Sequence, residues 1–134
     1  MAKACVFVID DDLVFLEMMG EILREEQYRP ILHSTGHDAF DAVRAQQPDI
    51  VLLDVRLEGP ETGWTILDLL RLDRATAQIP VILCTGDREF LRNAESQLRE
   101  AGCCVLEKPF SIDDLSRLLE RSLKAHAYGD PSLA

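Results

Sequence analysis

Apolar residues in this chain gather into five short runs, and four of the five stop at side chains able to do chemistry. Ile50-Val51-Leu52-Leu53 ends at Asp54. Val6-Phe7-Val8-Ile9 runs into Asp10-Asp11-Asp12, Val81-Ile82-Leu83-Cys84 into Thr85-Gly86-Asp87, and Cys104-Val105-Leu106 into Glu107-Lys108-Pro109. Unbroken β-compatible runs of this length read as strands covered on both faces, as the inner strands of parallel sheets are. The fifth run, Tyr28–Ser34, contains Pro30, which cannot donate to a ladder and therefore marks an edge strand.

Between the runs the apolar period changes from continuous to helical. A first helix is predicted from about Leu13 to Glu26, with Leu13, Leu16, Met19 and Leu23 on one face and Asp12 as its cap. Gly36 and Asp38 open a second, with Ala39, Phe40 and Val43 inward, which must end before Pro48. The longest loop, Asp54 to Gly63, carries the breakers Gly59, Pro60 and Gly63. A third helix follows it with Trp64, Ile66, Leu67 and Leu70. The fourth, from about Arg88 to Ala101, has a narrow stripe of Leu91, Ala94, Leu98 and Ala101, and Gly102 stops it. Ser111 caps a fifth bearing Ile112, Leu115, Leu118, Leu119 and Leu123, with Asp113 and Asp114 in its first turn. Five strand-helix units joined by short connections predict the α/β class: a parallel sheet between two layers of helices.

At 134 residues the chain is sized for one domain with a real core. We expect that domain over residues 1–126, and a flexible tail or truncated linker over 127–134, where periodicity is lost. The net charge of −10 argues against direct nucleic-acid binding, because phosphate backbones recruit basic surfaces. No apolar stretch approaches the roughly 20 residues of a membrane span. The apolar N-terminal stretch is too short for a signal peptide and runs into three aspartates. Cys5, Cys84, Cys103 and Cys104 lack paired spacing, so they read as reduced, small hydrophobes of a cytoplasmic protein.

Ligands of open α/β sheets bind at the C-terminal ends of the strands. Three carboxylates converging there repel one another, and a hard divalent cation relieves that repulsion. Mg²⁺, which takes oxygen ligands and is often shared with phosphate, is the natural candidate, and Mn²⁺ can substitute. Lys108 adds a second positive charge and Thr85 a hydroxyl. Together they describe a site for a transferring phosphoryl group, with the Asp54 carboxylate as nucleophile. Each residue alone has a plainer role: an acidic run caps helices, a lysine is a surface amine, a threonine ends a strand. Their coincidence at one rim carries the signal.

With these marks in hand, the chain resembles the receiver domain of bacterial two-component response regulators from about Lys3 to Lys124. The matching features are the acidic pair after strand one, Asp54 after strand three, Thr85 after strand four and Lys108-Pro109 after strand five. The resemblance implies a flavodoxin-like five-stranded doubly wound parallel sheet of strand order 2-1-3-4-5. It implies that Asp54 accepts phosphate from a phosphohistidine of a sensor kinase or phosphotransfer protein. Mg²⁺ would be held by Asp10, Asp11, Asp54 and the main-chain carbonyl of Arg56, with Asp10 acting through water. Thr85 and Lys108 would bind phosphoryl oxygens, and a cis peptide before Pro109 would aim the lysine inward. Output would pass through helix four, strand five and helix five to a downstream protein or output domain. Two departures stand out. Val105 occupies a position that is aromatic in much of the family, and the loop after Asp54 is one residue longer, with its proline displaced.

Two other functions compete. A receiver-like binding module that is never phosphorylated is disfavoured by the intact acidic pocket. A Mg²⁺-dependent phosphohydrolase is disfavoured because Asp54-Val55-Arg56 lacks the second acid that such enzymes place two residues on. The chain is therefore read as a phosphoacceptor signalling domain rather than an enzyme. It would serve as a stand-alone regulator, a phosphorelay shuttle or part of a longer protein joined at Gly129-Asp130-Pro131-Ser132. A homodimer through the leucines of helix five is the minority reading.

Overall fold

The computed structural model describes residues 3–57, 62–100 and 102–128. Strands and helices alternate strictly: β1 (Cys5–Ile9), α1 (Leu13–Glu25), β2 (Arg29–His33), α2 (Ala39–Gln46), β3 (Ile50–Asp54), α3 (Gly63–Leu72), β4 (Val81–Thr85), α4 (Arg88–Glu100), β5 (Cys104–Glu107) and α5 (Ile112–Tyr128). All neighbouring strands are parallel, in the order β2-β1-β3-β4-β5. The predicted fold class, strand order and edge position of the proline-bearing strand are all borne out.

The continuous apolar runs are explained by two cores, one on each face of the sheet. Val6, Val8, Ile50, Leu52 and Ile82 point to one side, where Leu16, Met19 and Leu23 of α1 and Leu115 and Leu119 of α5 cover them. Phe7, Ile9, Val51, Leu53 and Leu83 point to the other, beneath Ala39 and Val43 of α2, Ile66, Leu67 and Leu70 of α3, and Ala94 and Leu98 of α4. A residue such as Leu52 is thus fully enclosed, and truncating it to Ala would cost about 2–5 kcal/mol.

The register sets the functional rim. Ile9 lies opposite Leu53, Asp54 opposite Cys84, and Thr85 opposite Glu107, so the strands that matter end side by side. Asp12 caps α1 by accepting from the N–H groups of Val14 and Phe15. That assigns the third aspartate to the helix and leaves the first two to the rim. Gly102 takes φ +65° after α4, the left-handed conformation that ends helices without a Cβ penalty.

Three expectations need correction. Leu13 and Ile112, placed on buried helix faces by spacing, are 68% and 46% exposed. Each is the first residue of its helix, at the rim where the sheet has ended and offers nothing to cover. The last helix continues through Ala127 to Tyr128, past the point where the periodicity fades at His126. Backbone hydrogen bonds carry a helix on where its apolar pattern has stopped. Gly59, Pro60, Ala101 and the Gly129–Ser132 stretch lie outside the described residues.

Candidate phosphoacceptor site

Asp10 follows directly on the last buried residue of β1 and is itself only 1% exposed. An ionised carboxylate so placed must be paired. One oxygen accepts from the backbone N–H of Asp12 at 2.9 Å, and the other accepts from Lys108 Nζ at 2.8 Å. Asp11 stands half-buried beside it. Asp10, Asp11 and Asp54 each offer a carboxylate oxygen, and these three atoms lie within 4.8 Å of one another.

Asp54 closes β3 with one oxygen accepting from the N–H of Arg56 at 3.2 Å and the other 3.6 Å from Lys108 Nζ. Burial, and then the charge of Asp10, push its carboxyl up to about 6, against the pull of Lys108 and the Arg56 N–H. Lys108 shows the opposite balance. Burial draws its ammonium down, but the bond to Asp10 and the charges of Asp54 and Asp10 outweigh it and the net direction is up. The ammonium also sits 4.1 Å above the centre of the Phe15 ring, a cation–π contact that holds it in place. Phe15 meets Phe110 edge-on at 6.2 Å. The peptide between Lys108 and Pro109 is cis.

Thr85 ends β4, buried, and its carbonyl accepts from the N–H of Lys108 at 2.8 Å. Its hydroxyl oxygen accepts from the N–H of Asp87 at 3.0 Å, which leaves the hydroxyl proton to donate elsewhere. Cys84, just below, is fully enclosed and its thiol is pushed up to about 12, chiefly by burial. It therefore stays protonated and does not compete as nucleophile or ligand. Above these groups lies an open cleft of about 440 Å³, lined by Asp54, Thr85 and Lys108 with Arg56 and Asp87 at its side.

Backbone packs tightly against Asp54. Gly63 opens α3, donates its N–H to the carbonyl of Val55 at 3.0 Å, and packs so that a Cβ there would stand 2.1 Å from the Asp54 carbonyl oxygen. Trp64 packs against the core and meets Phe90 edge-on at 6.2 Å, a packing role as expected.

Asp54, Thr85 and Lys108 thus line one cleft together with Arg56, and Asp10 and Asp11 gather beside Asp54 at its rim. The oxygen-only donor set, held under mutual repulsion, fits a hard cation. The contact of Phe15 with Lys108, the close approach of Gly63 to the Asp54 backbone and the ion pair of Arg56 with Asp87 lie outside the sequence reading, which has Gly63 only as a loop breaker. A Phe inside a helix and a Gly after a loop carry no local mark of these contacts.

Comparisons with known proteins identify the family. Residues 6–120 match the model of the response regulator receiver domain. The chain is 33% identical over 119 residues to the transcriptional regulatory protein TcrX of Mycobacterium tuberculosis, covering 89% of this chain and 49% of TcrX. It therefore spans about half the length of that relative. It is 28% identical to the polar-differentiation response regulator DivK of Brucella abortus, covering 80% of this chain and 85% of DivK. Among solved structures, the receiver domain of the sensor histidine kinase PA1611 of Pseudomonas aeruginosa superimposes with a TM-score of 0.80 at 26% identity. That match covers 92% of this chain and 99% of the other, whose active-site cleft coordinates a magnesium ion.

Proposed function

The chain belongs to the response regulator receiver domain family, and from that premise we propose that Asp54 is its phosphoacceptor. The observation that carries this reading is the placement of Asp54 within 4.8 Å of the oxygens of Asp10 and Asp11 and 3.6 Å from the Lys108 ammonium.

Asp10, Asp11 and Asp54, with the main-chain carbonyl of Arg56, would hold Mg²⁺, and Mn²⁺ suits the same oxygen donors. When bound, that ion neutralises charge on the phosphoryl oxygens. The protein's own groups do the remainder. Asp54 presents a carboxylate oxygen to the phosphorus of a phosphohistidine. The new P–O bond forms as the P–N bond breaks, and the imidazole leaves with the electron pair. Lys108, held between Asp10 and Asp54, turns to a phosphoryl oxygen, and the Thr85 hydroxyl donates to another.

The donor in this reading is a sensor histidine kinase or a phosphotransfer protein of the cytoplasm. The output is a change of binding at the face of α4, β5 and α5, toward a downstream protein or an output domain. Val105 is half-buried on β5 against the core. It has no ring to rotate, so the signal must travel through Thr85 and the start of α4. Residues 1–126 would carry this activity.

Phosphoramidate, a small donor with the same P–N bond, tests the reading. Wild-type protein with Mg²⁺ should gain one base-labile phosphoryl group, and Asp54→Asn should gain none. An adduct that persists in Asp54→Asn would overturn it.

A further inference from the structure

The Lys108 ammonium is held by the Asp10 carboxylate at 2.8 Å, by the Asp54 carboxylate at 3.6 Å and by the ring of Phe15, whose centre lies 4.1 Å away. The two acids belong to the cluster that would hold a divalent ion. The ring is neither charged nor a ligand. Phe15 stands in the first turn of α1, half-buried, three residues past the cap Asp12. Phe110, two residues beyond Lys108, meets it edge-on at 6.2 Å with the ring planes 88° apart. Both rings pack against the core beneath α1 and α5. The Phe15 ring is thus fixed from its edge, with its face given to the ammonium.

These neighbours differ in what survives metal binding. Once Asp10, Asp11 and Asp54 turn their oxygens to a divalent ion, the negative field that draws the lysine is largely cancelled. A lysine on its flexible four-carbon stem would then spread over many rotamers, and returning it to one place costs entropy. The attraction of the ring face for a cation remains, because an aromatic quadrupole neither ionises nor ligates. We propose that Phe15 is a positioning residue for the phosphoryl transfer, whose ring keeps the Lys108 ammonium at the cleft while the acids are engaged elsewhere. The inference rests on the phosphoacceptor reading of Asp54.

In that transfer the P–O bond to Asp54 forms as the donor's P–N bond breaks, and the nitrogen keeps the electron pair. Lys108 gives up no proton. It brings charge to a phosphoryl oxygen, and Phe15 acts only through it. Ring fluorination is the informative change at this position. Fluorine withdraws electron density from the ring face and weakens its pull on a cation, while the ring keeps its place and nearly its shape. Phe15→Leu removes the face altogether and keeps apolar bulk.

The test uses saturating Mg²⁺ and phosphoramidate, with position 15 occupied by phenylalanine, by phenylalanine carrying one or three ring fluorines, or by leucine. The rate of phosphorylation should fall stepwise with fluorination, by about two- to fivefold at three fluorines, the range of one cation–π contact near the surface. Phe15→Leu should fall at least as far. Beryllofluoride, which stands in for the phosphoryl group, should bind more weakly in the same order by Trp64 fluorescence, while Mg²⁺ affinity stays close to wild type. In nuclear magnetic resonance spectra the ring should shift the protons on Lys108 Cε upfield in the metal-free protein. That shift should persist with Mg²⁺ and beryllofluoride, and vanish in Phe15→Leu. Fluorinated proteins that react like the wild type while Phe15→Leu is slow would assign the ring to packing alone and overturn the proposal. A Lys108 shift lost on beryllofluoride binding would also overturn it, with the acceptor reading left standing. A wild type that takes up neither phosphoryl group nor beryllofluoride would overturn the acceptor reading, and this inference with it.

Discussion

Lys108 donates to Asp10 across 98 positions of sequence, at 2.8 Å, and so neutralises a carboxylate that is 1% exposed. The same ammonium lies 3.6 Å from Asp54. One cation thus serves two acids that would otherwise face each other unscreened. It also occupies the charge environment that a divalent ion would enter, so lysine and metal compete for the same negative field.

Lys108→Ala should therefore separate stability from metal binding. Without Mg²⁺ it leaves a buried carboxylate without its cation and should cost about 1–3 kcal/mol. Mg²⁺ affinity should rise, since a competing charge is gone. Urea unfolding in chelator, and Mg²⁺ titration by Trp64 fluorescence, read the two effects independently.

The raised carboxyl of Asp54 makes metal-free stability depend on pH. Its ordinary value is 3.8 and its folded value about 6, so the folded state binds the proton more tightly than the unfolded one. The stabilisation from that bound proton is complete below the unfolded value and is lost as pH rises through about 6. Asp54→Asn removes this dependence. In chelator it should be more stable than the wild type above that range by about 1–3 kcal/mol, and the gain should shrink toward pH 4. Mg²⁺ should restore the wild type at high pH and do much less for Asp54→Asn. Denaturant melts at the two ends of the range check the sign.

Gly63 is where backbone meets backbone. A methyl group there would stand 2.1 Å from the Asp54 carbonyl oxygen and 2.8 Å from the Val55 Cα, neither of which is the end of a flexible side chain. Gly63→Ala should shift the start of α3 or the acceptor itself, and cost about 2 kcal/mol or more, as overpacking does. The expected readout is a lower unfolding midpoint together with weakened Mg²⁺ binding.

Asp12 tests the division of labour among the three aspartates. Asp12→Ala should lower stability by about 1 kcal/mol through loss of the α1 cap, while Mg²⁺ affinity stays close to wild type. Asp11→Ala should do the reverse. A strong loss of Mg²⁺ binding in Asp12→Ala would move the metal site by one residue along the run.

Much of this was legible in the chain because two physical constraints coincide. Strands buried on both faces cannot alternate polar and apolar residues, so Val6–Ile9, Ile50–Leu53 and Val81–Cys84 stand out as unbroken runs. Each run also ends at the rim, so the residue that follows it is at the site whatever the helices do. What escaped was tertiary. Whether Leu13 is covered depends on where the sheet stops beneath α1. The contact of Phe15 with Lys108 and the pairing of Arg56 with Asp87 join distant segments. No period or spacing records such a relationship.

The most direct measurement is the site of modification. Wild-type protein is phosphorylated with phosphoramidate and Mg²⁺, the acyl phosphate is trapped by borohydride reduction, and the reduced residue is located by peptide mass. The account predicts a single reduced aspartate, at position 54, that disappears when Mg²⁺ is chelated. Reduction at Asp10 or Asp11, or a phosphoryl group that forms equally well without divalent ions, would contradict it.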